Sequence, residues 1–296
     1  KIILRDKKKL DLLNFNSVNN FIKKNKPDII INCAGRVGGI LANSKFPTEF
    51  LNENIQIQSN LINSAYKNDV NNFINLGSSC IYPKNSKQPI KEDYLLSSRL
   101  EKTNEAYALA KITGLKLCEY YNMQYGKSYL TLMPCNLYGP NDNFDPSNSH
   151  FIPALIRKII NSKVKNIKKT EIWGTGNPKR EVMHVDDLAS VTYFITKLKI
   201  KGNKKLISLI KKNSLINVGS GVELKIKQFA EVIKKIIKTK SKLIYNTNYP
   251  DGTPRKVLNN SKIRSLGWKP KISLDRGLRE TIKWYRDKYI FKKNNN

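Results

Sequence analysis

Three short apolar runs, each bounded by turn residues, place the strongest constraint on the fold of this chain. They extend from Asp28 to Cys33, from Phe73 to Leu76 and from Tyr129 to Met133. Continuous apolar runs of this length are typical of parallel strands that are buried on both faces. Helical patterns lie between them, over Thr48 to Asn68 and over a stretch that ends near Tyr125. Strands that alternate with helices through short connections predict a doubly wound parallel sheet of the α/β class.

The pattern loosens after residue 150, where a smaller α+β region is expected. A helix from Phe151 to Lys163 and a short strand from Glu171 to Gly174 are predicted there. The segment Asn217-Val218-Gly219-Ser220-Gly221 is similar to a return into the first sheet. We therefore expect one domain over residues 1–150 and a second region over 151–296, with a return to the sheet near 214–235.

The chain is strongly basic, with 54 lysines and arginines against 23 aspartates and glutamates, a net charge of +31. Such an excess is found in proteins that bind nucleic acids. Here the lysines are spread over most of the predicted helices, and no nucleic-acid-binding motif accompanies them. We therefore expect no specific nucleic-acid partner, although a basic binding protein without catalytic activity stays open as an alternative. A positive surface attracts anionic ligands such as nucleotides.

The cysteine pattern and the hydropathy argue against several other classes. The four cysteines show no Cys-x-x-Cys pairing and the chain has two histidines, so no metal site is expected. Unpaired thiols in a chain of enzyme size indicate a reducing compartment, which predicts a cytoplasmic protein. No apolar run approaches the about 18 residues that span a membrane. The start of the chain is too short and too charged for a signal peptide.

Polar and reactive side chains follow the second apolar run, at the point where that strand ends. Ser78, Ser79 and Cys80 come directly after it, at the sheet edge where α/β proteins bind ligands. Tyr107 and Lys111 lie four residues apart on the next helix and so share one of its faces. Because an ammonium stabilises a phenolate, we expect Lys111 to lower the pKa of Tyr107. The pattern indicates a site for proton transfer.

Together with two later motifs, these residues resemble a known enzyme family. The segments are Gly77-Ser78-Ser79-Cys80-Ile81-Tyr82-Pro83, Tyr107-Ala108-Leu109-Ala110-Lys111, residues 136–144 and Pro146-Ser147-Asn148-Ser149-His150. They are similar to the extended short-chain dehydrogenase/reductase family and, within it, to the GDP-L-fucose synthases, from about Leu4 to about Trp284. The resemblance implies a Rossmann-type sheet and NADPH-dependent 3,5-epimerisation and 4-reduction of GDP-4-keto-6-deoxy-D-mannose to GDP-L-fucose. It also implies a homodimer.

The resemblance assigns the catalytic positions Ser78, Cys80, Tyr107, Lys111 and His150. Cys80, as thiolate, is the expected base and His150 the expected acid of each inversion. A free thiol titrates near about 8.5, so the neighbours of Cys80 are expected to lower its pKa. Tyr107 and Ser78 would hold the enolate oxygen, and Lys111 would bind the nicotinamide ribose. The other histidine, His184, lies in a strand-like stretch and is expected to be structural.

The resemblance also implies NADP(H) as the cofactor. Arg5 stands where members that prefer NADP place an arginine for the 2′-phosphate. The other cofactor positions are Ala34, Leu76, Gly77, Ser78, Ser79, Tyr107, Lys111, Pro134, Cys135, Asn136, Leu137 and His150. Lys1 to Leu4 is similar to the second strand of such a sheet, so the first strand and its Gly-rich turn are expected to be missing. This leaves cofactor binding by the chain as given open.

The GDP-sugar is expected to bind after residue 150. By resemblance, its positions are Lys158, Trp173, Arg180, Asp251 and Arg255. Cations suit the pyrophosphate, and an aromatic wall with polar groups suits guanine or ribose. Lys158 replaces the arginine that is commoner in the family, so bidentate phosphate binding is not expected there.

Two further alternatives stay open from the sequence. One is another extended reductase or epimerase that acts on a nucleotide sugar, such as a 4-epimerase or a 4,6-dehydratase. A dehydratase is expected to carry Thr-Asp-Glu near the catalytic serine, whereas this chain has Ser78-Ser79-Cys80. The other is a fragment that cannot bind the cofactor.

Overall fold

A four-stranded parallel β-sheet is present in the structure, a computed structural model that describes residues 1–249 and 251–291. The strands, in chain order, are β1 (Ile29–Asn32), β2 (Asn72–Leu76), β3 (Ser128–Pro134), β4 (Asn136–Tyr138), β5 (Lys169–Trp173), β6 (Lys179–His184), β7 (Leu215–Val218), β8 (Glu223–Lys225), β9 (Lys242–Asn246) and β10 (Arg255–Lys256). Four of them pair in parallel in the order β1-β2-β3-β7. This arrangement confirms the predicted α/β fold.

Helices cover both faces of this sheet. They are α1 (Phe15–Asn25), α2 (Ile40–Lys45), α3 (Pro47–Lys67), α4 (Glu105–Tyr125), α5 (Phe151–Val164), α6 (Val185–Ile200), α7 (Lys204–Lys212), α8 (Ile226–Ile237), α9 (Ser261–Ser265) and α10 (Leu274–Arg286). On one face, Val18 of α1 and Ile62 of α3 share an apolar cluster with Phe73 of β2. On the other face, Val191 of α6 shares a cluster with Leu132 of β3. Burial from both sides explains why the strands are continuous apolar runs.

Local signals set the ends of the two helices that flank β2. Pro47 begins α3, where a missing N–H costs nothing because the first turn has no acceptor for it. Gly126 ends α4 with a φ of 63°, in the left-handed region that glycine adopts without strain. The helices predicted over Thr48 to Asn68 and up to Tyr125 are confirmed to within one residue at these ends.

A second region supplies further strands and its own core. The strands β4, β6, β8 and β10 form one sheet, in which β8 runs antiparallel to β6, while β5 and β9 form a parallel pair. Ile156 of α5, Phe229 of α8 and Leu278 of α10 belong to the buried core beneath them. In the pairing of β10 with β6, Lys256 stands beside Arg180. The domain boundary near residue 150 stays a prediction.

The first residues of the chain form no strand, contrary to the expectation for Lys1 to Leu4. Ile2 and Leu4 are 86% and 80% exposed. A strand is stable when its N–H and C=O groups pair with a neighbour, and none of the strands in the described ranges pairs with this segment. The strand prediction is therefore wrong for this structure.

We expect Phe229→Ala to lower the free energy of unfolding by about 3–5 kcal/mol, because it empties space in a closed core. Phe229 is fully buried and its ring centre lies 5.5 Å from that of Phe151. Urea unfolding at constant m-value measures the loss. Tyr193→Ala, at a side chain that is 61% exposed on α6, is the control and should change the value by no more than about 0.5 kcal/mol. Equal losses in both variants would contradict the proposed core.

Candidate active site

The carboxyl ends of β1, β2 and β3 meet at one edge of the sheet, because the three strands are parallel. Ala34 follows the first of them, the segment from Leu76 to Ser79 follows the second, and the segment from Pro134 to Leu137 follows the third. Most of the predicted cofactor positions therefore lie along a single edge. Open α/β sheets bind their ligands at this edge.

A tight turn after β2 presents a hydroxyl and a thiol. Ser78 caps the 3₁₀ turn Ser79–Ile81, and its Oγ accepts a hydrogen bond from the backbone N–H of Cys80 at 3.5 Å. A Cβ at the preceding Gly77 would lie 2.4 Å from the methyl carbon of Met133. A side chain at position 77 would have to displace the end of the Met133 side chain, so glycine suits this close approach. Cys80, in this turn, is buried, with 7% exposed.

Helix α4 brings Tyr107 and Lys111 to the same turn. The Nζ of Lys111 donates a hydrogen bond to the carbonyl oxygen of Leu76 at 3.0 Å and lies 5.7 Å from the centre of the Tyr107 ring. Burial lowers the pKa of Lys111 to about 8, because an ammonium loses hydration in apolar surroundings. Ser78 and Cys80 both influence the pKa of Tyr107. The structure thus brings four of the five predicted catalytic residues together.

The pKa of Tyr107 is raised, whereas the spacing of Tyr107 and Lys111 predicted a lowered value. Burial of the phenol is the largest cause, and the charge of an ionised Cys80 adds to it. The hydroxyl of Ser78 acts in the opposite direction. Lys111 is not among the groups that shift this pKa. Tyr107 therefore stays protonated at neutral pH, which suits a hydrogen-bond and proton donor.

Burial also raises the pKa of the Cys80 thiol. Three neighbours oppose it, in the order Lys256, Ser78 and Lys111. The prediction that the neighbours lower the pKa is correct for each of them, but the net direction is wrong because burial outweighs their sum. The contribution of Lys256 was missed in the sequence analysis, which gave this residue no role.

Lys256 and its neighbour Arg255 have different partners, as expected because successive side chains of a strand point to opposite faces of the sheet. The guanidinium of Arg255 pairs with the carboxylate of Glu223 through contacts of 2.6 and 2.9 Å, and its side chain is 44% exposed. Burial lowers the pKa of Lys256, and its charge acts on Cys80 and Arg180. The predicted role of Arg255 in substrate binding stays a prediction. A strand pattern after the turn at Asp251 would have drawn attention to Lys256, but two residues are too few to reveal one.

His150 is the residue that directly precedes α5, at the end of a loop. Asp145 orders this loop by accepting a hydrogen bond from the backbone N–H of Asn148 at 2.9 Å. The carbonyl of Asn148 accepts one from Gly39 at 3.1 Å, which holds the loop against the segment after β1. Loss of hydration lowers the pKa of the His150 imidazole, and the carboxylate of Asp142 opposes this effect. Within the described ranges, no hydrogen bond joins His150 to the other candidates.

The second histidine has a structural environment, as predicted. His184 is 1% exposed, and its Nδ1 accepts a hydrogen bond from the backbone N–H of Asp186 at 3.3 Å. In the part of the chain that the structure describes, no group of three His, Cys, Asp or Glu side chains is arranged to hold a metal ion.

The residues at the sheet edge fit a bound nicotinamide dinucleotide. Lys111 is 4% exposed, and the Leu76 carbonyl is the one hydrogen-bond acceptor that the described residues offer its ammonium. An ammonium has three donors, and buried donors need acceptors, which the hydroxyls of a ribose would supply. Arg5, in contrast, donates to the carbonyl of Leu4 and lies 5.4 Å from the centre of the Phe21 ring. Its contact with a 2′-phosphate stays a prediction.

The segment after β3 is held at the same edge by its own hydrogen bonds. The backbone N–H of Cys135 donates to the carbonyl of Val218 on β7 at 3.0 Å. The side-chain amide of Asn136 donates to the carbonyl of Glu181 on β6 at 3.0 Å. Burial raises the pKa of the Cys135 thiol, which keeps it neutral. Pro134 to Leu137 therefore forms a fixed wall beside the site.

An aromatic stack lies among the predicted substrate-binding residues. The Nζ of Lys158 lies 4.3 Å from the centre of the Trp173 ring. On the same tryptophan, Tyr249 stacks with a centre-to-centre distance of 4.2 Å and an angle of 13° between the rings. Tyr249 was missed in the sequence analysis, although it stands two residues before Asp251 in the sequence. The arrangement offers a flat apolar surface next to a cation.

Arg180 and Asp251 meet at the loop that leads to β10. The guanidinium of Arg180 donates to the carbonyl of Thr253 at 2.6 Å. Burial lowers the pKa of Arg180, and the carboxylate of Asp251 opposes this effect. Asp251 accepts hydrogen bonds from the backbone N–H and the hydroxyl of Thr175. This loop therefore holds a guanidinium beside the cation of Lys256.

Comparison with known proteins agrees with this geometry. Residues 4–210 match the NAD dependent epimerase/dehydratase family. The chain belongs to this family. It is 44% identical to the GDP-L-fucose synthase of Escherichia coli K12, over 96% of this chain and 88% of that protein. It is 45% identical to GDP-L-fucose synthase 1 of Arabidopsis thaliana, over 96% of this chain and 84% of that protein.

A solved structure extends the comparison to the fold. The GDP-mannoheptose C4 reductase of Campylobacter jejuni, solved with NADP bound, superposes with a TM-score of 0.85 at 37% identity. The match covers 96% of this chain and 89% of that protein. The resemblance to the GDP-L-fucose synthases and the extended reductase fold are thus confirmed, while the roles of single residues in this member of the epimerase/dehydratase family stay predictions.

We expect Lys256→Gln to raise the pKa of the Cys80 thiol and to slow its alkylation, because the variant removes the neighbour that lowers this pKa most. Iodoacetamide labelling between pH 7 and 10, followed by peptide mass spectrometry, gives the pKa. Arg255→Gln is the matched control, since that side chain pairs with Glu223 near the surface. Equal shifts in both variants would mean that Lys256 acts only through the fold.

Proposed function

We propose that this protein catalyses the NADPH-dependent 3,5-epimerisation and 4-reduction of GDP-4-keto-6-deoxy-D-mannose to GDP-L-fucose. The observation that carries the proposal is the grouping of the Cys80 thiol, the Tyr107 phenol and the Lys111 ammonium at the carboxyl end of β2. Relatives named GDP-L-fucose synthase span nearly the whole chain, which supports the choice of substrate.

In the epimerisation, the 4-ketone makes the hydrogens on C3 and C5 acidic. The thiolate of Cys80 removes the proton, the C–H electrons pass to the ketone, and negative charge develops on O4. His150 returns a proton to the opposite face of the same carbon. Tyr107 and Ser78 donate hydrogen bonds to O4 while it is charged. The raised pKa of Tyr107 serves this role, because a protonated phenol can donate.

In the reduction, negative charge returns to the same oxygen. Bound NADPH supplies the hydride that C4 receives. Tyr107 transfers its phenolic proton to O4, and Lys111 would hold the ribose hydroxyls of the cofactor. The two steps share one site because both charge O4.

The substrate residues divide by chemistry. The stack of Trp173 on Tyr249 suits a purine, and Lys158 and Arg180 suit the pyrophosphate. Asp251 suits a donor of the guanine or the ribose. The charge of Lys256 interacts with both Arg180 and Cys80. Lys256 therefore suits the end of the pyrophosphate that is nearest to the sugar. Turnover of GDP-sugars but not of UDP-sugars would support this division, and equal turnover would contradict it.

A second copy of the chain is the proposed partner. Leu109, Tyr120 and Met123 share one face of α4 and are 42%, 51% and 77% exposed. Exposed apolar side chains on one helix face are typical of interfaces, so we propose a homodimer through this face. Sedimentation as a monomer at micromolar concentration would contradict it.

None of the helices in the described ranges is long and apolar enough to cross a membrane, and four free thiols support the cytoplasm as the location.

The Campylobacter reductase suggests one competing function, which is 4-reduction without epimerisation. Deuterium incorporation separates the two. The proposed function predicts solvent deuterium at both C3 and C5 of the product, and a plain reductase predicts none. Cys80 and His150 favour the first outcome, since reduction alone needs neither a thiol base nor an imidazole acid.

We expect Cys80→Ser to slow deuterium incorporation by about 10²–10⁴, the usual contribution of a general base, because an alcohol is far less acidic than a thiol. NADPH affinity, measured by fluorescence titration, should stay within about twofold, since the thiol is not a cofactor contact in this scheme. Cys33→Ser, at an exposed thiol, is the control. Equal losses of exchange and of NADPH binding in Cys80→Ser would show that Cys80 is only structural.

We expect the two half-reactions to differ in pH dependence. Reduction needs the protonated Lys111, whose pKa is about 8, so its rate should fall about fourfold between pH 7 and 8.5. Epimerisation needs a thiolate and an imidazolium together. Because the pKa of Cys80 is raised and that of His150 is lowered, the gain of one and the loss of the other cancel across this range.

Deuterium exchange into the keto-sugar with NADP⁺ present measures epimerisation alone, and NADPH consumption measures reduction. Exchange should therefore stay level from pH 7 to 8.5 while reduction declines. A parallel decline of both rates would contradict the separate roles of Lys111 and the Cys80–His150 pair.

A further inference from the structure

Three buried side-chain amides form a chain of hydrogen bonds behind the site. Asn32 ends β1 and donates to the Oδ1 of Asn75 at 3.0 Å, and Asn75 donates to the Oε1 of Gln58 at 3.1 Å. The three side chains, called the amide bridge below, are no more than 3% exposed. Nothing in the steps described above uses them.

Gln58 joins three elements at once. Its Nε2 donates to the carbonyl of Ala110 on α4 at 2.9 Å and to the carbonyl of Asn54 on its own helix α3 at 2.9 Å. Its Oε1 accepts from Asn75 on β2. All the polar atoms of this amide are therefore paired without solvent, and each partner stands at a fixed place in a helix or strand.

The partners of Gln58 are the immediate neighbours of the reducing site. Asn75 precedes Leu76, whose carbonyl accepts the hydrogen bond from Lys111, and Ala110 precedes Lys111 itself. Gln58 thus fixes the spacing between the end of β2 and the turn of α4 that carries Lys111. The amide bridge thus connects the two segments that carry Leu76 and Lys111. The 3.0 Å hydrogen bond from Lys111 to Leu76 joins the same two segments directly.

We propose that Gln58 is a positioning residue for the reduction, one that holds Lys111 in register with the end of β2. The proposal rests on the function proposed above and adds a residue outside the site to it. A displacement of about 1 Å at such a site costs about 10²-fold in rate. Among the described residues, no hydrogen bond of the amide bridge reaches Cys80 or His150, so we expect the epimerising pair to depend less on it.

Gly114 makes room for the bridge and supplies the means to test it. A Cβ at Gly114 would lie 2.1 Å from the Oε1 of Gln58, and its other near neighbours are atoms of the same amide. Alanine at 114 therefore collides with Gln58 but fits once Gln58 is truncated. In that background, alanine also favours the helix, since glycine is a poor residue for a helix interior.

The experiment compares Gln58→Ala, the double variant Gln58→Ala/Gly114→Ala and the control Gln56→Ala in the full encoded chain. Gln56 lies on the same helix, is exposed, and bonds only to Asn52 among the described residues. Melting temperature, NADPH-dependent reduction and deuterium exchange with NADP⁺ are measured for each. A wild-type protein without turnover would refute the proposed function itself, whereas the comparison among variants tests Gln58.

We expect Gln58→Ala to lower the melting temperature and to lower kcat of reduction by at least about tenfold, with deuterium exchange within about twofold of wild type. The double variant should regain melting temperature, because the space is refilled, but should not regain reduction, because the hydrogen bonds to Asn75 and Ala110 stay absent. Recovery of reduction together with melting temperature would overturn the proposal. So would an equal loss of exchange and reduction in Gln58→Ala, or a loss of reduction in the Gln56→Ala control.

Discussion

The site depends on a single buried ammonium at the end of a parallel strand. Lys111 is 4% exposed, and among the described residues its ammonium has one hydrogen-bond acceptor, the carbonyl of Leu76. The contact ties α4 to the end of β2, and Tyr107 lies one turn before Lys111 on the same helix. It also leaves two donors that require oxygen ligands. A sheet edge with this residue is prepared for a polyol such as a ribose.

Burial, more than charge, sets the protonation of the groups at this edge. Tyr107 and Cys80 both lie near cations, yet the loss of hydration raises the pKa of each. The phenol is kept as a donor, and the thiol is kept neutral until it is needed. The cost is a small thiolate fraction at neutral pH, and the gain is a hydrogen-bond donor that stays in place through both steps.

Much of this arrangement could be predicted from the sequence. The apolar runs and the spacing of Tyr107 and Lys111 gave the sheet, the helix and the shared face, because each depends on local periodicity. The pKa directions could not be predicted in this way, since burial is a property of the packed chain. Lys256 was missed for a similar reason: it reaches Cys80 through the pairing of β10 with β6, which no local pattern encodes. The strand predicted for Lys1 to Leu4 is absent because an apolar segment also needs a neighbouring strand with which its backbone can pair.

The position of Lys256 has a consequence for how the two regions of the chain communicate. The cation that does most to acidify the thiol lies on β10, which pairs with β6, whereas the thiol itself lies on the turn after β2. The acidity of Cys80 is thus a measure of how closely the two regions approach each other. A ligand that draws β10 toward the sheet edge would lower the pKa of Cys80 when the sugar binds. In the free protein the thiol would stay protonated and unreactive.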